Sequence, residues 1–282
     1  MKITVSVVNN PIFIEIQYYT LKKYFKGEYE FIVFNDAKDF PDFTNDYNIT
    51  IKKQIQDICS KLKIKCIDIP NSHHKNKTCA GERCADSMNV ILQYQILNPD
   101  KYLLLDSDMF LVDYFDIEKF SDYDCAVVLQ SRNTFRTNYF WNGIYYFDIT
   151  KMKNLELLNW NTCKYCDVGG MMQHWLQKQI MDTPIPNTDD IRWTNKEYHR
   201  NNIYFIKHLW SCSWNIDELP ENLNNNIKLI DYIKNDPRNK NNKFYCEIYD
   251  NVFLHYRAGG NWQKEGMKLH DYMSNKLKKV LL

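Results

Sequence analysis

The sequence predicts an α/β fold: a single domain on a mixed, mostly parallel sheet flanked by helices. Three observations point there. Short apolar runs rich in β-formers alternate with segments of helical period through the first third of the chain. These runs close on Asn, Asp or Pro, residues that end a strand and open a turn. And Tyr102-Leu103-Leu104-Leu105 is continuously apolar, as a strand covered on both faces must be. With 282 residues, 44% of them apolar, the chain suits one large domain with a substantial core.

In order, Ile3 to Val8 reads as a strand stopped by Asn9, Asn10 and Pro11. Residues 12–25 carry apolar groups at roughly helical spacing. Glu30 to Phe34 is a second strand, ending in Asn35-Asp36. Residues 49–62 form an amphipathic helix with Ile51, Ile55, Ile58 and Leu62 on one face. Ile64 to Ile69 returns as a strand closed by Pro70, and residues 81–97 form a helix that ends before Pro99. Ligands of parallel sheets lie beyond the carboxyl ends of the strands. That rule puts Asn9, Asn35, Asp36 and Asp106 along one edge where a nucleotide fits. Residues 1–112 are thus expected to be a nucleotide-binding half, and 113–282 an acceptor and catalytic half. The second half is less regular, with Asn142-Gly143, Gly169-Gly170, an irregular stretch from Pro184 to Arg192 and an Asn-rich loop at 222–226. Its last segment, Lys268 to Leu282, mixes Leu and Lys and reads as a surface helix packed on the core, with membrane-surface docking as the alternative.

A net charge of +1 gives no electrostatic case for nucleic acid. Nine cysteines is an odd count for a disulfide framework, and the N-terminal run reads as a strand rather than a secretion signal. No apolar run is long enough to span a membrane. The expectation is a cytoplasmic protein, with peripheral membrane contact as an alternative, and the sequons at Asn48 and Asn76 are then chance matches.

Asp106-Ser107-Asp108 follows the apolar strand and precedes a second apolar run, Met109 to Val112. Two carboxylates this close raise each other's pKa unless a cation lies between them. Hard divalent ions take oxygen ligands and bridge to phosphate oxygens, so the pair points to Mn²⁺ or Mg²⁺ and a phosphorylated substrate. The plainer reading is a solvated acidic turn.

Leu103-Leu104-Leu105-Asp106-Ser107-Asp108-Met109-Phe110 resembles the D-x-D motif of GT-A glycosyltransferases, a Rossmann-like fold. The likeness continues in order along the chain. Arg83 lies on the helix before the motif, as a donor-binding basic residue does in similar enzymes. Asn142-Gly143-Ile144 resembles their Asn-(Gly/Ala)-Gly-Val, with Ile144 in place of the second Gly. Asp167-Val168-Gly169-Gly170 resembles their acidic block near the reacting sugar. His255-Tyr256-Arg257-Ala258-Gly259-Gly260-Asn261-Trp262 resembles the late His-Phe-x-Gly-x-x-Lys-Pro-Trp of retaining family-8 enzymes such as the glycogenins. Asn261 stands where that Lys would be, and Trp262 comes one position early.

The resemblance implies a metal-dependent glycosyltransferase. Its donor would be a nucleoside diphosphate sugar, with UDP the likelier carrier, and its acceptor a glycan or glycoprotein. Asp106, Asp108 and His255 would hold the metal, and Asp106 and Ser107 would also contact the nucleotide. Mn²⁺ is favoured because His adds nitrogen to the ligand set. Arg257 would supply the charge of the missing Lys, and Val8, Asn9, Asp36 and Arg83 would bind the nucleotide. Asp167 would stand near the anomeric carbon, and Asn142 would face the sugar, with retention of configuration.

Each assignment has a plainer alternative: Asp167 as a helix N-cap, Asn142-Gly143 as a tight turn between strands, His255 as a packed histidine. Cys163 and Cys166 form a C-x-x-C without a second such pair, so a structural metal there is disfavoured. His73-His74 reads as a solvated loop, because adjacent histidines seldom converge on one ion. Trp193, Tyr198, Trp210 and Trp214 are candidates for an acceptor groove, with core packing the equal alternative. Other readings are an inverting transferase, a sugar nucleotidyltransferase, which usually carries a Gly-rich phosphate loop at the first strand, and a carbohydrate-binding protein.

Overall fold

The computed structural model describes residues 1–38, 40, 50–132, 137–180, 197–260 and 266–282. The chain begins with β1 (Lys2–Val7), α1 (Ile12–Tyr24), β2 (Phe25–Lys26), β3 (Glu30–Asn35), α2 (Ile51–Leu62), β4 (Lys65–Asp68) and the one-turn α3 (His73–Asn76). It continues through α4 (Ala80–Leu97), β5 (Lys101–Asp106), β6 (Met109–Leu111), β7 (Phe115–Asp116), β8 (Cys125–Arg132), β9 (Thr137–Asp148) and α5 (Gln173–Ile180). The rest comprises β10 (Tyr198–Arg200), β11 (Ile203–Phe205), β12 (His208–Leu209), α6 (Ile227–Lys234), β13 (Glu247–Tyr249), β14 (Phe253–His255) and α7 (Met267–Leu281).

Eight strands join one sheet in the order β10-β11-β8-β9-β5-β1-β3-β4. The β5-β1-β3-β4 half is parallel, and β9 runs antiparallel between β5 and β8. The fold is therefore the expected α/β arrangement. Strands from both sides of residue 112 share this sheet, so that boundary is no break in it.

The two-residue period of a strand divides the core. On β5, Leu103 and Leu105 face the layer that holds Ile14 and Leu21 of α1 and Ile55 of α2. Tyr102 and Leu104 face the other layer, with Met88, Ile91 and Leu92 of α4 and Trp175 of α5. That alternation explains why an unbroken apolar run was needed at 102–105. A second, four-stranded antiparallel sheet, β12-β13-β14-β6, packs with α6, α7 and one face of α1 into a third apolar cluster around Phe13, Phe110 and Trp214. The C-terminal helix is amphipathic as expected, and it buries Met273, Leu277 and Leu281 there. Among the described residues no helix is long and apolar enough to cross a membrane.

Candidate active site

The site forms where the two sheets meet. β5 delivers Asp106 at its carboxyl end, two turn residues follow, and β6 begins at Met109. β14 pairs with β6 so that His255 lies opposite Met109. This register brings a histidine from the far end of the chain over the acidic pair. His255 Nε2 lies 3.0 Å from Asp108 Oδ1 and 3.9 Å from Asp106 Oδ2. The Gln17 amide on α1 clamps the turn, donating to the carbonyls of Asp106 (2.8 Å) and Met109 (3.0 Å).

Further contacts orient the ligand atoms. His255 Nδ1 lies 2.7 Å from Glu247 Oε2, which also accepts from the Tyr249 hydroxyl at 2.9 Å. A carboxylate on one ring nitrogen fixes the tautomer that leaves the other nitrogen free to ligate. Asp108 Oδ2 accepts from the Gly259 N–H at 2.7 Å. The backbone reaches that position through two residues in the left-handed region, Arg257 (φ 69°) and Ala258 (φ 60°). Such conformations cost energy and need support. Arg238 supplies it: it donates to the carbonyls of Tyr256 and Arg257 and is paired with Asp236 at 2.7 Å. At position 259 only glycine fits, because a Cβ there would stand 2.5 Å from the Phe13 ring and 2.8 Å from Asp108.

Burial pushes Asp106 up to about 7, and the neighbouring Asp108 charge adds to this, while His255 and hydrogen bonds with Ser107 pull it down. Burial also works to raise Asp108, but His255 and the Gly259 N–H outweigh it and hold Asp108 below the usual carboxylate range. Burial disfavours a charged His255, yet Asp108 and Glu247 together raise its pKa well above that of a free imidazole.

These residues line one wall of an open cleft of about 1020 Å³. All the residues expected to serve the site face it. Val8, Asn9 and Asp36 stand at the ends of β1 and β3, and the Asn9 amide holds the Gly260 carbonyl at 3.1 Å. Arg83 projects from α4 and also donates to the Lys77 carbonyl. Asp106, Ser107, Asp108 and His255 form the floor. Arg257 lines the cleft with its guanidinium on Ser211 Oγ (2.8 Å) and 3.7 Å from Glu247. Asn142 and Asp167 line the side near α4: Asn142 Nδ2 points at Cys84 Sγ, and Asp167 Oδ1 accepts from the Val168 N–H.

Two of the plainer alternatives fall, and some expectations need correction. Asn142-Gly143 is not a turn; both residues lie inside the twelve-residue β9, where the Trp141 ring folds over Gly143 and leaves no room for a Cβ. Asp167 does not cap a helix; Gly169 occupies that position, in the left-handed region. Trp214 is fully buried in the third apolar cluster and cannot line a groove, whereas Trp210 does line the cleft. Tyr198 packs on the core from β10, and Trp193 lies outside the described residues. His73 and His74 are not solvated: both are buried on α3 and turn towards Asp36.

Reading the sequence missed Glu247, Gln17 and Gly259 as site residues. Glu247 had a signal: it is a lone charge inside the apolar run Phe244-Tyr245-Cys246-Glu247-Ile248-Tyr249, and such a charge is seldom buried without a partner.

No family model matches the chain, and no curated protein matches it. Among solved structures it is similar to the galactosyltransferase LgtC in complex with donor and acceptor sugar analogues, at 13% identity and a TM-score of 0.40, over 67% of this chain and 68% of that one. An active-site mutant of LgtC aligns at 15% identity and TM-score 0.37, over 54% of this chain and 58% of that one. The apo bifunctional glycosyltransferase WbbM aligns at 13% and 0.36, over 54% of this chain and 32% of that one. Likeness at this level says nothing of activity.

Proposed function

We propose that the chain is a metal-dependent GT-A glycosyltransferase that moves a sugar from a nucleoside diphosphate sugar, by resemblance a UDP-sugar, to a glycan or glycoprotein acceptor with retention of configuration. One observation carries this reading. Two carboxylates and an oriented imidazole converge, with their ligand atoms within 4.8 Å of one another, where β5 ends in a deep cleft. The donor set fits a hard or borderline divalent ion: two carboxylate oxygens and one imidazole nitrogen, each carboxylate also held by a backbone N–H.

A divalent ion held by Asp106, Asp108 and His255 would supply positive charge to the diphosphate as it leaves. Arg257, on the same wall, adds a fixed cation where the departing charge gathers. Val8, Asn9 and Asp36 bound the place for base and ribose at the strand ends, with Arg83 reaching towards ribose or diphosphate. Asp167 and Asn142 hold the sugar from the opposite side. The bond from C1 to the diphosphate oxygen breaks with its electron pair on that oxygen. The acceptor oxygen bonds to C1 on the same face and gives its proton to the leaving diphosphate. No strong protein base is needed on that face, and Asp167 steadies the oxocarbenium-like charge.

The test is a panel of nucleotide sugars with Mn²⁺, scored for hydrolysis without acceptor, then for transfer. A UDP-α-sugar should give an α-linked product by proton NMR. A β-linked product would assign Asp167 as the acceptor's base and make the enzyme inverting. Failure to bind or cleave any nucleotide sugar would sink the transferase reading.

A further inference from the structure

A second cluster of ligating atoms lies at the end of β3, across β1 from the first. Asp36, His73 and His74 are 1%, 8% and 4% exposed, and their ligand atoms lie within 4.8 Å of one another. His73 Nε2 is 2.9 Å and His74 Nε2 3.4 Å from Asp36 Oδ1. The short α3 makes this possible, since one helical turn sets both imidazoles, 4.4 Å apart, above the strand end. The enclosure leaves polar atoms unsatisfied. Neither Asp36 carboxylate oxygen nor His73 Nε2 has a hydrogen bond of good geometry, despite the short approach. Buried polar atoms without partners are costly, and such a convergence of them calls for a ligand.

We propose that Asp36, His73 and His74 form a second metal site, for a borderline divalent ion such as zinc. Two imidazole nitrogens and one carboxylate are the donor set that such ions take in three-ligand sites, with a fourth position left to water or substrate oxygen. Ligand atoms around a tetrahedral zinc stand about 3.3 Å apart, given bonds of about 2.0–2.1 Å. The 2.9 and 3.4 Å separations bracket that value. His74 Nε2 also lies 2.7 Å from the Asp36 carbonyl oxygen. To ligate, its Nε2 proton shifts to Nδ1 and the ring turns from that carbonyl to the ion. Asp36 and His74 both line the cleft, so the fourth position opens towards the space where a phosphorylated substrate would lie. Asp36 also stands on the nucleotide edge of the transferase reading, but ion uptake here needs none of Asp106, Asp108 or His255.

Metal-free protein titrated with Co²⁺ tests this by equilibrium dialysis and by the visible absorption of four-coordinate Co²⁺. Wild type should bind two ions. The Asp106→Asn/Asp108→Asn double variant should keep one, with the four-coordinate spectrum. His73→Gln/His74→Gln should lose that spectrum and keep the other ion, which also shows that the variant is folded. If the acidic-pair variant binds no Co²⁺, or the histidine variant still binds two, the second site does not exist. If wild type binds one ion, kept by the acidic-pair variant and lost by the histidine variant, the second site stands and the metal assignment in the transferase reading falls. Should the histidine variant fail to fold, the acidic-pair variant alone decides: one four-coordinate ion supports the site and none overturns it.

Discussion

The two clusters on either side of β1 combine carboxylate and imidazole in opposite proportion. Asp106, Asp108 and His255 offer two carboxylates and one histidine; Asp36, His73 and His74 offer one carboxylate and two histidines. The first is closed by strand register, with Glu247 behind the histidine and Gly259 behind the aspartate. The second is closed locally, by one turn of helix over a strand end. Oxygen-rich sets suit hard ions that also bind diphosphate, and nitrogen-rich sets suit zinc. The contrast teaches that the strand ends on either side of β1 present two different donor sets to one cleft.

The largest effect should come from Asp108→Asn. The amide leaves His255 and Gly259 without their charged partner. Turnover of a nucleotide sugar should fall about 10²–10³-fold or more, as when one preorganised electrostatic group is lost, with Asp106→Asn similar. The thermal midpoint should fall for Asp108→Asn, because a buried carboxylate held below its usual range stabilises the fold, and should hold or rise for Asp106→Asn, whose pKa is raised. Full activity of either variant at low Mn²⁺ would erase the contrast between the clusters. Glu247→Gln sharpens it: Mn²⁺ affinity should fall about 10–100-fold with the ligands intact, read by titration, since the outer carboxylate fixes the ring. An unchanged affinity would mean that Glu247 only packs. Gly259→Ala tests the closure itself. The added methyl must displace Phe13 or Asp108, so unfolding in urea should show a loss of about 1–3 kcal/mol, with weaker Mn²⁺ binding and the Asp36 cluster untouched. Lys53→Ala sets the baseline. Its exposed pair with Asp57 on α2, at 2.7 Å, touches neither cluster. Stability should move by no more than about 1 kcal/mol.

Much of the first cluster's wall is legible in the sequence because it is local. An apolar run followed at once by two carboxylates states both the strand and its end. The period of Ile51, Ile55 and Ile58 states a helix. The partners of Asp108 are harder to read. His255 entered only through resemblance, since nothing in residues 100–112 says which distant strand will pair with β6. Glu247 and Gln17 act through a second nitrogen and through carbonyls, and neither contact leaves a local pattern. His73-His74 was misread for a related reason. Adjacent side chains diverge in a strand, but on a single helical turn above a strand end both rings can lean to the same carboxylate. The turn alternative for Asn142-Gly143 falls because a favoured turn pair is outweighed by two flanking strands, β5 and β8, that hold β9 straight through it.

Asp108 and His255 are 147 residues apart in the chain. A nascent chain halted before β14 carries both aspartates, exposed to the cell's ions, without the imidazole that completes their cage. Closing so long a loop is entropically costly and kinetically late. The proposed first metal centre therefore closes only after β13 and β14 have docked on β6. The Asp36 cluster needs no residue beyond His74 and can assemble early. Ion occupancy at the two places then dates two stages in the life of the same polypeptide.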